Sequence, residues 1–439
     1  MVVTMSRCFS AAAGLFAGCA AIATTPAVMS AQTGRAGSVA VAQPSAHDSS
    51  AALSTSGQLT LITEPQDGIA PVLSAVKGAR HEVDMVMYED SDTQVDAALV
   101  ADAHHGVAVR VLLNGGYYGK GGFPENQAAY TYLKAHGVPV RWTPSYFALT
   151  HQKTLIVDGR AYILTFNLTP QYYDSSRDFG VVDTIPADDA AIQQTFSADW
   201  NDRRITAPTG SDLVWSPGSQ SAQVGLIESA TGWVDVYNEE MDSPAIESAL
   251  EADARRGVDV RVTMTADSSW NSAFAQLTAA GVRVHTYAPS AALYIHAKMI
   301  LTPAKAFLGS ENFSTASMDE NRELGLITSG ATIRASLSST FDSDYAKATP
   351  YGTSGGSGAA TSAQCSVTAS YSSGYDDWDV YVHSNQPETT ASVIDSSGAT
   401  ASYHTDASGY ADIYLKAPAS AAGQKVTVHV GQATCTGTL

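Results

Sequence analysis

The chain has 439 residues, room for two or three domains with cores of their own, and an ordinary globular composition. It carries 43 acidic against 24 basic residues, a formal charge of −19. A protein that wraps nucleic acid displaces counterions with a surplus of Lys and Arg, so this balance argues against a nonspecific nucleic-acid binder.

Residues 1–31 read as a signal peptide. Arg7 gives a thin positive flank, and "AAAGLFAGCAAIA" at 11–23 is an apolar run shorter than the roughly 20 residues a bilayer span needs. Small residues follow, with cleavage near Ser30 or Ala31, or earlier at Ala23; a lipobox at Cys19 is the weaker reading. No later segment is long and apolar enough to cross a membrane, so a secreted, soluble protein is expected. Residues 32–57, rich in Ala, Ser, Gly and Gln, read as a flexible leader.

From Leu59 strands alternate with helices. "HEVDMVMYE" (81–89) predicts a strand, "DTQVDAALVADAHHG" (92–106) a helix stopped by Gly106, and "VAVRVLLN" (107–114) a strand of a covered α/β sheet. A helix at 126–137 and the strand "VPVRW" follow. The second half replays this order: a strand at 232–240, a helix at 243–257, a strand at 258–265, then "NSAFAQLTAAG" and "VRVHTY". From Pro144-Ser145 to Trp200 a single shift of 145 carries His151 to His296, Lys153 to Lys298 and Asn167 to Asn312. It also carries Arg177 to Arg322, Asp178 to Glu323, Phe196 to Phe341 and Asp199 to Asp344, without a gap. The chain therefore reads as a duplicated α/β unit, residues 58–205 and 206–346.

Residues 347–364 read as a Gly/Ser linker. Beyond it, 365–439 contains short alternating runs, "SVTASY", "WDVYVH", "TASVID", "TASYHT", "YADIYL" and "KVTVHV", which predict a small all-β sandwich. Cys8 and Cys19 fall in the signal, leaving Cys365 and Cys435, which in an exported chain predict one disulfide.

In each half a strand carries His-x-Lys, so both side chains leave the same face. Asn follows the His by 16 residues, and a carboxylate comes 11 further on: Asp178 in one half, Glu323 in the other. Lys and Asn can donate to non-bridging phosphate oxygens, and a carboxylate can orient an imidazole. Breaking a phosphodiester needs a nucleophile and an acid; if the halves face each other across a pseudo-twofold, they supply one His each. Arg177 and Arg322 fit a salt bridge near the carboxylate as well as substrate contact. Asp199 and Asp344 fit a packed helix without chemistry.

The pattern, "HQKTLIVD…TFN…RDFG" and "HAKMILTP…GSEN…RELG", resembles the phospholipase D superfamily, the HKD phosphodiesterases, over residues 58 to 346. The resemblance implies two α/β sandwich units whose motifs line one cleft, and a covalent phosphohistidine with no required metal or other cofactor. Calcium stimulation stays open. Carried over, His151 or His296 attacks phosphorus and the other protonates the departing alcohol, family precedent favouring His151 as the nucleophile, while Lys153, Lys298, Asn167 and Asn312 hold the phosphoryl oxygens. Asp158, Thr165 and Ser310 support the motifs; Thr165 stands where Ser is usual, and Pro303 replaces the second Asp.

The expected activity is a secreted phospholipase D releasing phosphatidic acid and a head group at a membrane or micelle surface, with water or an alcohol as acceptor. A nuclease of the same superfamily shares every catalytic residue and is disfavoured by charge. A non-catalytic binding protein is disfavoured by the intact second motif, and cardiolipin synthesis by the lack of membrane segments. With both motifs in one chain, a monomer is expected. Tyr117, Tyr118 and Phe123 in the loop "GGYYGKGGFP", with Tyr146 and Phe147, are candidates for the cleft mouth, the loop being equally readable as a flexible surface segment.

Overall fold

A computed structural model describes residues 58–119, 123–352, 364–372, 377–386, 389–405, 410–431 and 433–439. The expected signal peptide and leader, residues 1–57, and most of the expected linker, residues 353–363, lie outside them.

The first half contains β1 (Leu59–Glu64), α1 (Ala70–Lys77), β2 (Glu82–Met87), α2 (Thr93–His104), β3 (Ala108–Leu113), α3 (Pro124–Ala135) and β4 (Val140–Trp142). It ends with β5 (Thr154–Val157), β6 (Arg160–Leu164), β7 (Ser176–Asp183) and α4 (Pro186–Trp200). Its sheet runs β1-β7-β6-β5-β2-β3-β4, with β2, β3 and β4 parallel and the rest antiparallel.

The second half gives β8 (Leu213–Ser216), α5 (Gln220–Glu228), β9 (Trp233–Tyr237), β10 (Met241–Asp242), α6 (Pro244–Arg255), β11 (Asp259–Thr265) and α7 (Asn271–Ala279). Next come β12 (Arg283–Tyr287), β13 (Tyr294–Ile295), β14 (Lys298–Leu301), β15 (Ala306–Gly309), β16 (Phe313–Ser314) and α8 (Thr315–Asp319). Then follow β17 (Glu323–Thr328), α9 (Ala331–Tyr345) and β18 (Thr349–Pro350). Its sheet, β8-β17-β15-β14-β9-β11-β12-β18, has the strand order of the first with one strand added.

Local chemistry explains the shared elements. Asp92 caps α2 by accepting from the Gln94 and Val95 amides, and Ser243 caps α6 by accepting from Ile246 N. Gly106 and Gly257 follow these helices at φ of +90° and +92°, a conformation that costs glycine little. The expected strand 81–89 stops at Met87, the last residue paired with β3, and the chain leaves the sheet at Tyr88.

Alternation along β5, β6 and β7 sends residues to two cores. Leu155, Val157 and Leu164 join the helices of the first half, whereas Ile156, Ile163 and Val181 join Met299, Leu308 and Leu324 of the second. This shared core seats the two sheets on each other. Short pairings add to it: β13 runs parallel to β7, and Thr150 bridges Arg322.

The C-terminal part forms a three-stranded antiparallel sheet of β19 (Cys365–Ser372), β20 (Asp377–Ser384) and β23 (Tyr410–Leu415). A four-stranded sheet holds β22 (Thr400–His404), β21 (Thr390–Asp395), β24 (Lys425–Val430) and β25 (Ala433–Thr438). Trp378, Val380 and Ile413 of one sheet share a core with Val393, Val426 and Val428 of the other. Strand β25, "ATCTGT", escaped the pattern reading because it lacks apolar alternation. Cys435 on it is disulfide-bonded to Cys365 on β19, joining first strand to last.

Candidate active site

His151 and His296 line one cleft of about 470 Å³, together with Asn167, Asn312 and Asp178. Each His precedes a central strand of its own sheet, but its backbone is tied to the other half. His151 N and Gln152 N both donate to Arg322 O at 3.0 Å, and His296 N and Ala297 N donate to Arg177 O at 3.2 and 2.8 Å.

The side chains repeat this exchange. His151 Nδ1 lies 2.9 Å from Glu323 Oε2 and 3.1 Å from Ser310 O, whereas His296 Nδ1 lies 2.9 and 3.0 Å from the two Asp178 oxygens. These partners only accept, so Nδ1 carries the proton in both rings, which leaves Nε2 of each as the other functional nitrogen. The motif pattern did not say which imidazole each carboxylate serves; the structure puts each on the His of the other copy. The arginines follow the same rule. Arg177 pairs with Asp344 at 2.6 Å and Arg322 with Asp199 at 2.9 Å, all four side chains buried. These are the salt bridges the sequence left open, and they give Asp199 and Asp344 a partner that helix packing alone did not suggest.

The supporting residues hold the carboxylates. Thr165 Oγ1 donates to Asp178 at 2.5 Å and accepts from Phe179 N, so the hydroxyl is used as a serine would use it. Ser317 and Asn321 donate to Glu323 Oε1, and Ser310 Oγ accepts from Leu324 N. Asp158 lies at the β5–β6 turn and accepts from the amides of Arg80, His81 and Glu82, pinning the entrance to β2. In the second half Thr302 closes the corresponding turn with Lys305 in both directions, beside Pro303.

Both lysines are buried, and each returns to the carbonyl of its own His: Lys153 at 2.8 Å, Lys298 at 2.6 Å. Burial, and then the neighbouring Lys298, push Lys153 down to about 7. Burial, followed by Lys153, also lowers His151. The two halves part at one position. Asp84–Arg110 and Asp235–Arg261 are matching pairs 26 residues apart, and that register sets Tyr88 against Glu239 and Glu89 against Glu240. The Tyr88 ring meets His151 edge-on at 4.4 Å and lies 4.8 Å from Lys153 Nζ. In the other half Glu239 is 3.0 Å from Lys298 Nζ and 3.3 Å from His296 Nε2. Asn167 Nδ2 reaches Glu89 at 3.4 Å, and Asn312 Nδ2 reaches Glu240 at 3.0 Å.

Glu89, Glu239 and Glu240 were not among the expected site residues. The available signal was their place just past a central parallel strand, where α/β sheets carry their ligands. Of the mouth candidates, Phe123 lines the cleft, whereas Tyr118, Tyr146 and Phe147 line a separate cavity with Arg204 and Trp215. Phe147 packs there under Arg322, 4.2 Å from the guanidinium carbon, and Tyr117 is exposed. Among the described residues no group of three or more His, Cys, Asp or Glu is arranged to hold a metal ion.

A family model described as "Cardiolipin synthase, PLD-like domain" matches residues 72–200 and 224–345. The chain belongs to the phospholipase-D-like superfamily. Its fold resembles a polyphosphate kinase from Porphyromonas gingivalis at 14% identity, covering 65% of this chain and 46% of that one, with a TM-score of 0.53. It thus spans about half the length of that kinase. It also resembles the phosphatidylserine synthase of Haemophilus influenzae Rd KW20 at 9% identity, covering 67% and 87% of the two chains, with a TM-score of 0.52. Nuc, a phospholipase D family member from Salmonella typhimurium, matches at 22% identity over 32% of this chain and 95% of its own, with a TM-score of 0.30. No curated protein matches the sequence.

Proposed function

We propose that this chain hydrolyses phosphodiesters through a phosphohistidine. The observation that carries the reading is the pair of Nδ1-protonated imidazoles in one cleft, each oriented by a carboxylate of the other half. His151 Nε2 attacks phosphorus, and the P–O bond to the leaving alcohol breaks as His296 gives that oxygen a proton. Water then loses a proton to His296, its oxygen bonds to phosphorus, and the N–P bond breaks. Lys153, Lys298, Asn167 and Asn312 neutralise and orient the phosphoryl oxygens, Asn312 and Lys298 exchanging their glutamate contacts for substrate.

For the substrate, the cleft's six lining carboxylates favour a diester without a polyanionic backbone. A phospholipid head-group diester is therefore the reading placed before a nucleic acid, and the apolar run at 11–23 supports an exported enzyme that meets it outside the cell.

The test uses the purified full chain with phosphatidylcholine micelles and, separately, plasmid DNA. Phosphodiester cleavage in either, abolished by His151→Ala and by His296→Ala, is expected. Cleavage of DNA alone replaces the lipid reading, and turnover that survives both substitutions defeats the phosphohistidine.

A further inference from the structure

One wall of the catalytic cleft comes from the C-terminal β-domain. Tyr403, Tyr410 and Asp412, on β22 and β23, line it beside the two histidines. The wall is fastened to both halves: the Tyr410 ring lies 5.0 Å from Tyr294 and 5.6 Å from Tyr172, and Tyr414 Oη donates to Glu125 O at 3.2 Å.

Among the described residues lining the cleft there are six carboxylates; the cations beside the histidines, Lys153 and Lys298, are buried and do not line it. Two buried carboxylate oxygens there have no hydrogen-bond partner in the protein: Glu125 Oε2 and Asp412 Oδ1, on residues only 8% and 7% exposed. Burial, then Asp379 and Glu89, hold Asp412 well above the usual carboxylate range, and burial raises Glu125. An arriving cation reverses that and draws Asp412 back to the carboxylate.

We propose that the C-terminal β-domain completes the substrate site, and that Asp412 and Glu125, with Tyr403, Tyr410 and Phe123, receive an ammonium group on the leaving alcohol. The proposal rests on the phosphodiesterase reading and names the alcohol it releases. Aromatic rings fill the wall around the two carboxylates, and a quaternary or primary ammonium binds ring faces beside a carboxylate. A hard metal ion asks instead for six to eight oxygen ligands. Seated here, the ammonium leaves its phosphodiester facing His151 and His296, so the domain selects the substrate by charge.

Choline chloride titrated calorimetrically into the full chain, with EDTA present and sodium chloride as the ionic-strength control, is expected to bind at about 1 mM or tighter. Glycerol is expected not to bind. Asp412→Asn, which keeps the side chain's shape, and Tyr410→Leu are each expected to weaken choline about tenfold. Thermal melting reports whether both variants fold. No heat of binding with choline, an unchanged affinity in Asp412→Asn, or calcium chloride binding there in place of choline without EDTA overturns the proposal. Hydrolysis of bis(p-nitrophenyl) phosphate, with His151→Ala as the blank, tests the phosphodiesterase reading separately, because choline can bind a chain that does not cleave.

Discussion

Glu323 holds His151 and Asp178 holds His296 across the boundary between the halves. Losing either carboxylate frees an imidazole to rotate and to change tautomer, so Glu323→Gln and Asp178→Asn are each expected to lower kcat about 10²–10⁴-fold. Double-mutant kinetics check the exchange: Glu323→Gln should add little to His151→Ala, and Asp178→Asn little to His296→Ala, since each pair acts as a unit. Additive losses in those pairs would remove the crossed assignment. Two groups shifted by burial contribute to the pH dependence. His151 is lowered by burial and then by Lys153, so it stays neutral, and nucleophilic, below the ordinary imidazole value of 6.5. Lys153, pushed down to about 7, loses its charge as pH rises through that value, and the phosphate loses a cation. kcat/KM, which reports the free enzyme, should form a narrow bell with its acid limb below pH 6.5 and its alkaline limb near 7. In Lys153→Arg the alkaline limb should move away, because guanidinium keeps its charge.

Elements carry the unequal parts of the duplication. Asp158 binds three amides at the entrance to β2, a scaffold contact remote from phosphorus. Asp158→Asn suits the residue's φ of +48° but removes the charge, and should cost about 1–2 kcal/mol in urea denaturation with kcat little changed. The second half does without this contact because the Thr302–Lys305 turn closes itself, so Pro303 is tolerated. Tyr88 and Glu239 occupy matching places past β2 and β9 yet differ in kind: an apolar ring against His151, a carboxylate against His296 and Lys298. His-x-Lys was legible because its spacing is local and repeats with Asn and a carboxylate. Tyr88 and Glu239 were not, because no periodicity marks a residue that has just left its strand.

At the scale of the molecule, two buried ion pairs and a shared apolar core join the halves. Removing one partner leaves a buried guanidinium without its anion, a cost of about 3–5 kcal/mol. Asp344→Asn and Asp199→Asn are therefore expected to lower stability by about that amount, measured by denaturant unfolding, and to loosen both active-site histidines, whose amides hang from Arg177 and Arg322. A variant as stable as the parent would show that the pairs are decoration.

By itself the sequence determined the repeat, its alternating elements, the motif residues and the cysteine pair, since all of these are written as spacings along the chain. Only the tertiary structure decided which carboxylate serves which imidazole, which aromatic residues reach the cleft, and that the C-terminal domain walls it. Those are contacts between residues far apart in sequence, set by how two sheets and a third domain pack, and no local pattern encodes that packing.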